Sequence, residues 1–265
     1  DAPAERLLPL IDYDKGGMSY EERIRPAREV QTASLIRAVH ADAQLREVMT
    51  QFWHDHFNVN SMRDEHTAAY FGLYDRMMRD NAFGNFRQLL GEVTRAPSML
   101  YYLNNEASRA SPANENFARE LFELHTLGAV NYFNDKTTDW SNVAGAKDGL
   151  AHGYIDQDVY EAARALTGWS FGDGRELGNG DFAPASGEFH YIDRWHDPYQ
   201  KRILGVEFRA NAGPMQDGER LLDLLAAHPA TAKHVCEKIC RRLGLENPAA
   251  ELVELAAGTW LDNVR

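Results

Sequence analysis

The segment NENFARELFELHTLG, residues 114–128, holds an unusual density of side chains that exchange protons or bind ions. At 100° per residue, an α-helix gathers its polar side chains into one arc of about 140°. The members of that arc are Glu115, Asn116, Arg119, Glu120 and Glu123. Two interpretations are open. One is a solvated face whose i,i+4 ion pairs contribute ~0.3–0.5 kcal/mol each; the other is a carboxylate-rich cleft wall in which Arg119 keeps the acids ionised or binds an anion.

A cleft wall of this kind can carry acid–base chemistry. Neighbouring carboxylates raise the pKa of a carboxyl group towards neutral pH, which makes Glu115 or Glu120 the candidate general acid or base. Arg119 then binds the anionic part of a substrate or an intermediate. The rival hypothesis is a non-catalytic binding or structural module, in which the same helix forms a packing network or a partner surface.

Histidine side chains are the candidate metal ligands. In LREVMTQFWHDHFNV, residues 45–59, helical spacing puts His56 on the apolar face and His54 nearly opposite, so the two share an ion only if the helix ends near Trp53. His125 lies on the apolar arc of its own helix, where a satisfied core histidine and a metal ligand both fit the pattern. Two imidazoles and a carboxylate from two helices can hold a transition metal ion, so the predicted ligands are His54, His56 and His125.

Composition narrows the classes of function. The chain of 265 residues is 44% hydrophobic and 26% charged, which is typical of a globular protein with its own core. A net charge of −12, with Lys and Arg scattered among acids, argues against a nucleic-acid partner. No apolar run approaches the ~18 residues that cross a bilayer. The G-x-S-x-G, P-loop, H-E-x-x-H and C-x-x-C motifs are absent from the sequence, so the usual hydrolase, NTPase, zinc-protease and thioredoxin functions have no support.

Helical periodicity dominates the elements that must position these residues. It covers about the first hundred residues, the 114–128 segment with Gly128 as its stop, and the chain from Asp217 onwards. YIDQDVYEAARALTGW predicts a further helix in which Asp156 accepts hydrogen bonds from the first free backbone N–H groups. Cys236 and Cys240, four residues apart on one helix face, are interpreted as core thiols.

Two stretches break the helical pattern. Residues 131–153 are rich in Asn, Asp, Thr and Gly and predict a long loop. Residues 170–208 contain GEFHYID and KRILGVEF and predict a small β-hairpin excursion. The expected fold is therefore mainly α, a multi-helix orthogonal bundle with that excursion, in a single domain over residues 1–265.

Six stretches together carry a family resemblance. They are FWHDHFNV, SMLYYLNN, NENFARELFELHTLG, DVYEAARALTGW, HDPYQKRILG and AHPATAKHVCEKICRRL. Their order and spacing, from about Gln51 to Leu243, resemble the bacterial family DUF1800, a domain of unknown function. The resemblance implies a mostly helical fold, export to the periplasm or the extracellular space, and a DUF1501-family protein as partner. Family members are usually longer, which predicts that this chain is a fragment truncated at one or both ends.

The resemblance also implies which polar positions belong to a shared site. The family's characteristic polar residues correspond here to His54, His56, Asn114, Glu115, Asn116, Arg119, Glu120, Glu123, Arg164, His196 and Asp197. Two features depart from the family pattern: Asn104 stands where an aspartate is frequent, and the loop over residues 131–153 is longer than the usual link. In RWHDPYQKRILG, His196 and Asp197 precede a proline in a turn, where a His–Asp pair is either a local hydrogen bond or part of a cleft rim.

These residues lead to one functional hypothesis and one geometric expectation. The hypothesis is an exported helical protein with a polar His/Glu/Arg cleft, a metal-dependent enzyme acting on a small molecule or a polymer. The expectation is that Glu115, Arg119 and Glu120 line the same concavity as His54 or His56. Helices dense in ionisable groups are more easily satisfied facing each other across water than in isolation.

Overall fold

The computed structural model describes residues 3–12 and 17–264. Contacts within the chain form two compact units, Asp1–Ala107 with Trp169–Ile192 and Ser108–Gly168 with Asp193–Arg265. Helices dominate both units, and the strands of the described ranges pair only as two-stranded antiparallel sheets. The predicted mainly α class with small β-hairpins is therefore confirmed, whereas folding as one domain stays a prediction.

The first unit is built around one central helix. Its helices are α1 (Leu8–Ile11), α2 (Tyr20–His40), α3 (Gln44–His56), α4 (Glu65–Asp80), α5 (Phe86–Arg95) and α6 (Pro97–Tyr102). Helix α4 packs against the other five. It can do so because small and aromatic side chains are buried along it, among them Ala68, Ala69, Tyr70 and Tyr74. Asp64 caps its start by accepting a hydrogen bond from the backbone N–H of Thr67 at 2.8 Å.

Four short strands complete the first unit. Strand β1 (Trp169–Phe171) pairs with β4 (Phe189–Tyr191), and β2 (Glu176–Gly178) pairs with β3 (Asp181–Phe182). GEFHYID thus forms strand β4, and the small β-hairpin excursion expected around residues 170–208 is confirmed. The turn before β4 requires Gly187, since its φ is +73° and an added Cβ would lie 2.4 Å from the carbonyl oxygen of Ala4. The N-terminal segment therefore packs directly on this turn.

The second unit contains the remaining α-helices and strands and one π-helical turn. They are α7 (Glu115–Glu120), a π-helical turn (Leu121–His125), α8 (Asp156–Ala165), β5 (Lys201–Ile203), β6 (Val206–Phe208), α9 (Gln216–Ala226), α10 (Pro229–Arg242) and α11 (Ala250–Asn263). KRILGVEF forms the β5–β6 hairpin as predicted. Its two turn residues, Leu204 and Gly205, have φ values of +52° and +79°, the positive values that a two-residue type I′ turn requires.

The loop between α7 and α8 is joined at its two ends. Tyr132 and Tyr154 form an isolated parallel β-bridge. The backbone N–H of Phe133 donates to the carbonyl of Tyr154 at 2.8 Å, and the N–H of Tyr154 donates to that of Asn131 at 2.9 Å. The predicted loop is therefore closed at its base, and this closure brings Tyr132 close to the start of α8.

The cysteines and the helices agree with two further expectations. Cys236 is buried and Cys240 half-buried, and neither forms a disulfide, as expected of core thiols. Over the described ranges, the helices lack the combination of length and apolar character that crossing a bilayer needs.

Candidate functional site

Part of the polar arc predicted for residues 114–128 forms a cluster in the second unit, here called the acidic site. It comprises Glu115, Arg119, Glu120, Glu123, Tyr132, Tyr154 and Asp156. Arg119 Nη1 donates to Asp156 Oδ1 at 3.1 Å, and the Tyr132 hydroxyl donates to the same oxygen at 2.8 Å. Arg119 Nη2 lies 3.5 Å from Glu115 Oε2. The guanidinium is thus held by Glu115 on α7 and by Asp156 on α8, the helices that precede and follow the closed loop.

Solvent reaches this cluster. The side chain of Arg119 is 36% exposed, and that of Asp156 is 49% exposed. Exposed ion pairs contribute little to folding, because water screens the attraction and the side chains lose freedom when paired. The ion pairs therefore fix the orientation of Arg119, while the N–H groups of its guanidinium that make no such pair stay available to a ligand.

The pKa of Glu120 in the acidic site is shifted from its ordinary value. Its partial burial raises its pKa, and the neighbouring carboxylate of Glu123 raises it further, while Arg119 acts in the opposite direction. A carboxyl group with a raised pKa can exchange a proton closer to neutral pH than an ordinary glutamate. Of the two predicted acid–base candidates, Glu120 is the one that the electrostatics support.

Tyr154 adds a buried hydroxyl group to the site. Its side chain is 1% exposed and packs on Phe122, with ring centroids 5.0 Å apart. Burial, followed by the charge of Glu123, raises the pKa of Tyr154 well above its ordinary value, so the hydroxyl stays protonated. Its oxygen makes no hydrogen bond to any described residue. Buried hydroxyl groups are usually paired, so this oxygen is a group that a ligand could satisfy.

The helix changes its geometry directly after Glu120. Residues Leu121–His125 form a π-helical turn, and Gly128, with φ +88°, ends the segment as predicted. π-helical turns are rare and occur frequently at functional sites. This one carries Glu123 towards the acidic site and His125 into the core. The regular helical wheel used for the sequence is therefore only approximate beyond Glu120.

His125 is a core histidine in the structure. It is 2% exposed, and burial, with a smaller contribution from Lys238, lowers its pKa to about 3. The imidazole is therefore neutral at physiological pH. A neutral imidazole is compatible with both interpretations given to it, a packed core side chain and a metal ligand.

The prediction that Asp156 caps α8 is wrong. Ile155 is the N-cap residue, and Asp158 Oδ2 accepts a hydrogen bond from its backbone N–H at 3.0 Å. Asp158 also accepts from the N–H of Leu204 at 2.7 Å, so it ties α8 to the β5–β6 turn. Asp156 is left to pair with Arg119 and Tyr132. Sequence reasoning missed both partners, because each stands at a loop end whose β-bridge has no local signature.

The two asparagines of the motif act at the start of α7. Asn114 is the N-cap residue, and its side-chain oxygen accepts from the backbone N–H of Asn116 at 3.0 Å. The N–H of Asn114 donates to Ser108 Oγ at 3.1 Å. Asn114 therefore fixes where the helix begins, which in turn sets the positions of Glu115 and Arg119.

Arg164, His196 and Asp197 belong to a different cluster of the same unit, here called the buried network, together with Lys201 and Asp217. The side chain of Lys201 is fully buried, and its Nζ donates to Asp217 Oδ2 at 2.6 Å and to the carbonyls of Asp197 and Tyr199 at 2.7 and 2.8 Å. All three ammonium protons thus have acceptors. His196 Nε2 lies 3.4 Å from Asp217 Oδ2.

Arg164 closes this network from α8. Its Nε and Nη2 donate to the two carboxylate oxygens of Asp197 at 2.8 and 2.9 Å, and its Nη1 donates to Glu161 at 2.7 Å. Burial alone would raise the pKa of Asp197, but the hydrogen bonds from Arg164 and from the backbone N–H of Tyr199, together with the charges of Arg164 and Lys201, outweigh it and leave the pKa lowered. Among its described members, the buried network is satisfied internally, as a packing element must be.

His54 and His56 lie in the first unit, on the last turns of α3. His54 Nε2 lies 3.1 Å from Asp75 Oδ1, and Asp75 also accepts from Arg37 and Arg79 at 3.2 Å each. His56 is 3% exposed and packs against Phe57, with ring centroids 4.6 Å apart. The two histidines therefore have separate surroundings, as the helical spacing predicts.

The predicted metal ligands are divided between the units. His54 and His56 belong to the first unit and His125 to the second, as do Glu115, Arg119 and Glu120. The shared concavity thus stays a prediction. Within residues 3–12 and 17–264, no three or more His, Cys, Asp or Glu side chains are grouped in a way that could hold a metal ion.

The family follows from a match over almost the whole chain. A family model described as protein of unknown function (DUF1800) matches residues 7–265, a wider span than the motifs cover. The chain belongs to the DUF1800 family. No curated protein and no solved structure shows significant similarity to it.

Proposed function

We propose that this DUF1800 protein binds a small polar molecule or a polymer at the acidic site and transfers protons to or from it. Glu120 is the general acid or base, and Arg119 holds the anionic part of the ligand. Tyr154 offers its hydroxyl as a hydrogen-bond donor. The observation that carries the proposal is the solvent-accessible guanidinium of Arg119, held by Asp156 and Glu115 next to Glu120, whose pKa is raised.

Two observations support a site over a packing element. Arg119 and Asp156 remain partly exposed, although Asp156 and Tyr132 hold the guanidinium in place. The Tyr154 hydroxyl is buried without a partner among the described residues. A network selected for packing satisfies its buried polar groups, as the buried network does with Lys201.

A transition metal requirement is a separate part of the proposal. Helix α3 continues through His56, so His54 and His56 diverge and cannot bind the same ion, and the predicted set of His54, His56 and His125 is not carried into the proposal as one site. Elemental analysis of protein purified without chelator or affinity tag should give close to one equivalent of metal, and added Zn²⁺, Mn²⁺, Fe²⁺ or Cu²⁺ should raise the melting temperature of the apo-protein. Less than about a tenth of an equivalent, with no thermal shift, contradicts this part alone.

Location and partner come from the family resemblance. We propose that the protein acts in the periplasm or outside the cell, and that it associates with a DUF1501-family protein. Fractionation of the producing bacterium and co-purification of the two proteins test these statements. Recovery in the cytoplasmic fraction argues against the first, and absence of the DUF1501 protein from the purified complex argues against the second.

The acid–base role is tested by measuring the Glu120 carboxyl directly. A ¹³C-detected pH titration should show a Glu120 pKa above the ordinary value of a glutamate, and Glu123→Gln should lower it. A panel of chromogenic glycosides, esters and phosphate esters then screens for turnover. Any activity found should fall at least about 100-fold in Glu120→Gln, the range typical of a lost general acid or base.

A matched substitution separates the site from general damage. Glu237→Gln removes an exposed carboxylate on α10, where Arg241 is its ion-pair partner, and should leave activity unchanged. A Glu120 pKa at or below the ordinary value of a glutamate, or activity that survives Glu120→Gln, would show the proposed role to be wrong.

A further inference from the structure

The loop between α7 and α8 is joined to α8 by more than its β-bridge. Two backbone hydrogen bonds form the bridge of Tyr132 with Tyr154. In a regular parallel ladder, the next bond would join the N–H of Asp156 to the carbonyl of Phe133. That carbonyl instead accepts from the N–H of Thr137 at 3.0 Å, within the loop. The ladder therefore stops after two bonds, and the N–H of Asp156 needs another acceptor.

A side chain of the loop supplies that acceptor. Asn134 Oδ1 accepts a hydrogen bond from the backbone N–H of Asp156 at 3.2 Å. Asp156 is the first residue of α8, and the first N–H groups of a helix have no partner within the helix. Ile155, the N-cap residue, has an apolar side chain that cannot supply one. Asn134 therefore satisfies the start of α8 from a point 22 residues earlier in the chain.

Two side chains of the loop hold opposite ends of the same residue. Asn134 bonds the backbone of Asp156, whereas the Tyr132 hydroxyl donates to its carboxylate at 2.8 Å. The same carboxylate oxygen accepts from Arg119 Nη1 at 3.1 Å. The loop, the first residue of α8 and the guanidinium on α7 thus form one continuous chain of hydrogen bonds. Releasing the backbone of Asp156 would leave its carboxylate attached to two groups that are themselves free to move.

We propose that Asn134 is a positioning residue of the acidic site, which acts through Asp156 to keep the Arg119 guanidinium turned towards the ligand. The inference rests on the proposed function, because it takes Arg119 as the group that binds the anionic part. The side chains of Arg119 and Asp156 are 36% and 49% exposed, so water competes for their ion pair. A backbone anchor for Asp156 reduces the freedom that this pair loses when an anion binds.

The order of the guanidinium is measured in the ligand-free protein by the ¹H–¹⁵N heteronuclear NOE of Arg119 Nε, which reports fast side-chain motion. Asn134→Leu keeps the size of the side chain but offers no acceptor, so the NOE should fall. Asn134→Asp keeps an acceptor that the N-terminus of α8 also favours, so the NOE should return to the wild-type value. Asn142→Leu, at an exposed asparagine of the same loop, is the control and should match the wild type.

A stability measurement separates positioning from helix capping alone. Asn134→Leu should lower the melting temperature by about 2–4 °C, the shift expected for a lost helix cap. Capping alone predicts this shift together with a wild-type NOE for Arg119 in the folded variant. That combination overturns the proposal. A lower NOE in Asn134→Leu that Asn134→Asp restores, measured well below the melting temperature of each variant, supports it.

Ligand binding is tested with acetate as the anionic probe, titrated at constant pH while the Arg119 Nε–Hε resonance is followed. Wild type, Asn134→Asp and Asn142→Leu should show the same saturable shift, and Asn134→Leu should bind acetate about 3- to 10-fold more weakly. Equal affinity of Asn134→Leu and wild type overturns the proposal. If acetate shifts nothing in the wild type, the anion-binding role of Arg119 in the proposed function is wrong, whereas an NOE that falls only in Asn134→Leu still supports the positioning role.

Discussion

The acidic site and the buried network lie in the same unit, and the family resemblance implies both, yet they use charge differently. In the buried network, Lys201 gives each ammonium proton an acceptor and Arg164 grips Asp197 with two nitrogens. In the acidic site, Arg119 has one near carboxylate at 3.1 Å and a second at 3.5 Å, and half of Asp156 meets solvent. A dense set of ionisable residues can therefore be either a packing network or a solvent-exposed site.

The difference teaches that hydrogen-bond satisfaction separates a packing network from a site better than residue type does. Both clusters combine carboxylates with basic side chains. Breaking a saturated buried cluster leaves a charge without compensation, whereas breaking an exposed pair returns both partners to water. Stability measurements on matched variants can therefore test the distinction directly.

Lys201→Met should have the largest effect. The substitution leaves Asp217 buried and ionised without its ammonium partner, and the free energy of unfolding should fall by about 3–5 kcal/mol. Urea denaturation followed by circular dichroism measures the loss. The double variant Lys201→Met/Asp217→Leu should recover part of it, because the orphaned carboxylate is gone. A loss below about 1 kcal/mol would mean that the network does not stabilise the fold.

Arg164→Lys should have the next largest effect. Lysine keeps the charge but cannot contact both oxygens of Asp197 and also reach Glu161, so about 1–3 kcal/mol of stability should be lost. Arg241→Lys is the control, since Arg241 forms an exposed i,i+4 pair with Glu237. The comparison fails if the two lysine variants unfold at the same urea concentration.

Arg119→Met should cost less than about 1 kcal/mol, as expected for an exposed ion pair. The same variant should abolish binding of any anionic ligand identified for the acidic site. Urea denaturation in parallel with Lys201→Met gives the stability difference. A loss of several kcal/mol would instead support the rival hypothesis that the α7 segment is a structural network.

Glu120→Gln should have the smallest effect on the free energy of unfolding. The effect is recognised by how it changes with pH. The pKa of Glu120 is raised in the folded protein, so the folded state holds the proton more tightly than the unfolded state. As the pH rises from about 4, the unfolded reference value for glutamate, towards 7, wild type should therefore lose stability relative to Glu120→Gln. Urea midpoints at pH 4 and pH 7 show the trend.

Asp217→Asn should show the opposite pH dependence of stability in the same urea experiment. Burial would raise its pKa, but hydrogen bonds from His196 and Lys201 lower it overall. Its contribution is present above the unfolded pKa and is lost as the pH falls through the folded pKa. The gap between wild type and Asp217→Asn should therefore narrow on acidification. A common sign for the two variants would mean that the two clusters are electrostatically alike.

Local patterns predict the elements of this chain better than its contacts. The helix ending at Gly128, the KRILGVEF hairpin and the divergence of His54 from His56 each depend on a few neighbouring residues, and all are confirmed. Asp156 and Tyr132 meet Arg119 only because a β-bridge closes a loop of more than twenty residues. The two residues that form this bridge are determined by tertiary packing, which the periodicity of a single sequence does not encode.

The β-bridge between Tyr132 and Tyr154 also determines where the chain can accept insertions or deletions. Residues enclosed by the bridge contribute to a closed loop, and lengthening such a loop costs only about 0.6 kcal/mol per doubling. The exposed stretch around Asp135 and Lys136 can thus accept insertions without displacing Tyr132 from Asp156. Relatives with shorter or longer links can keep the same pair of residues in register, and a reporter peptide inserted there would be carried beside the acidic site.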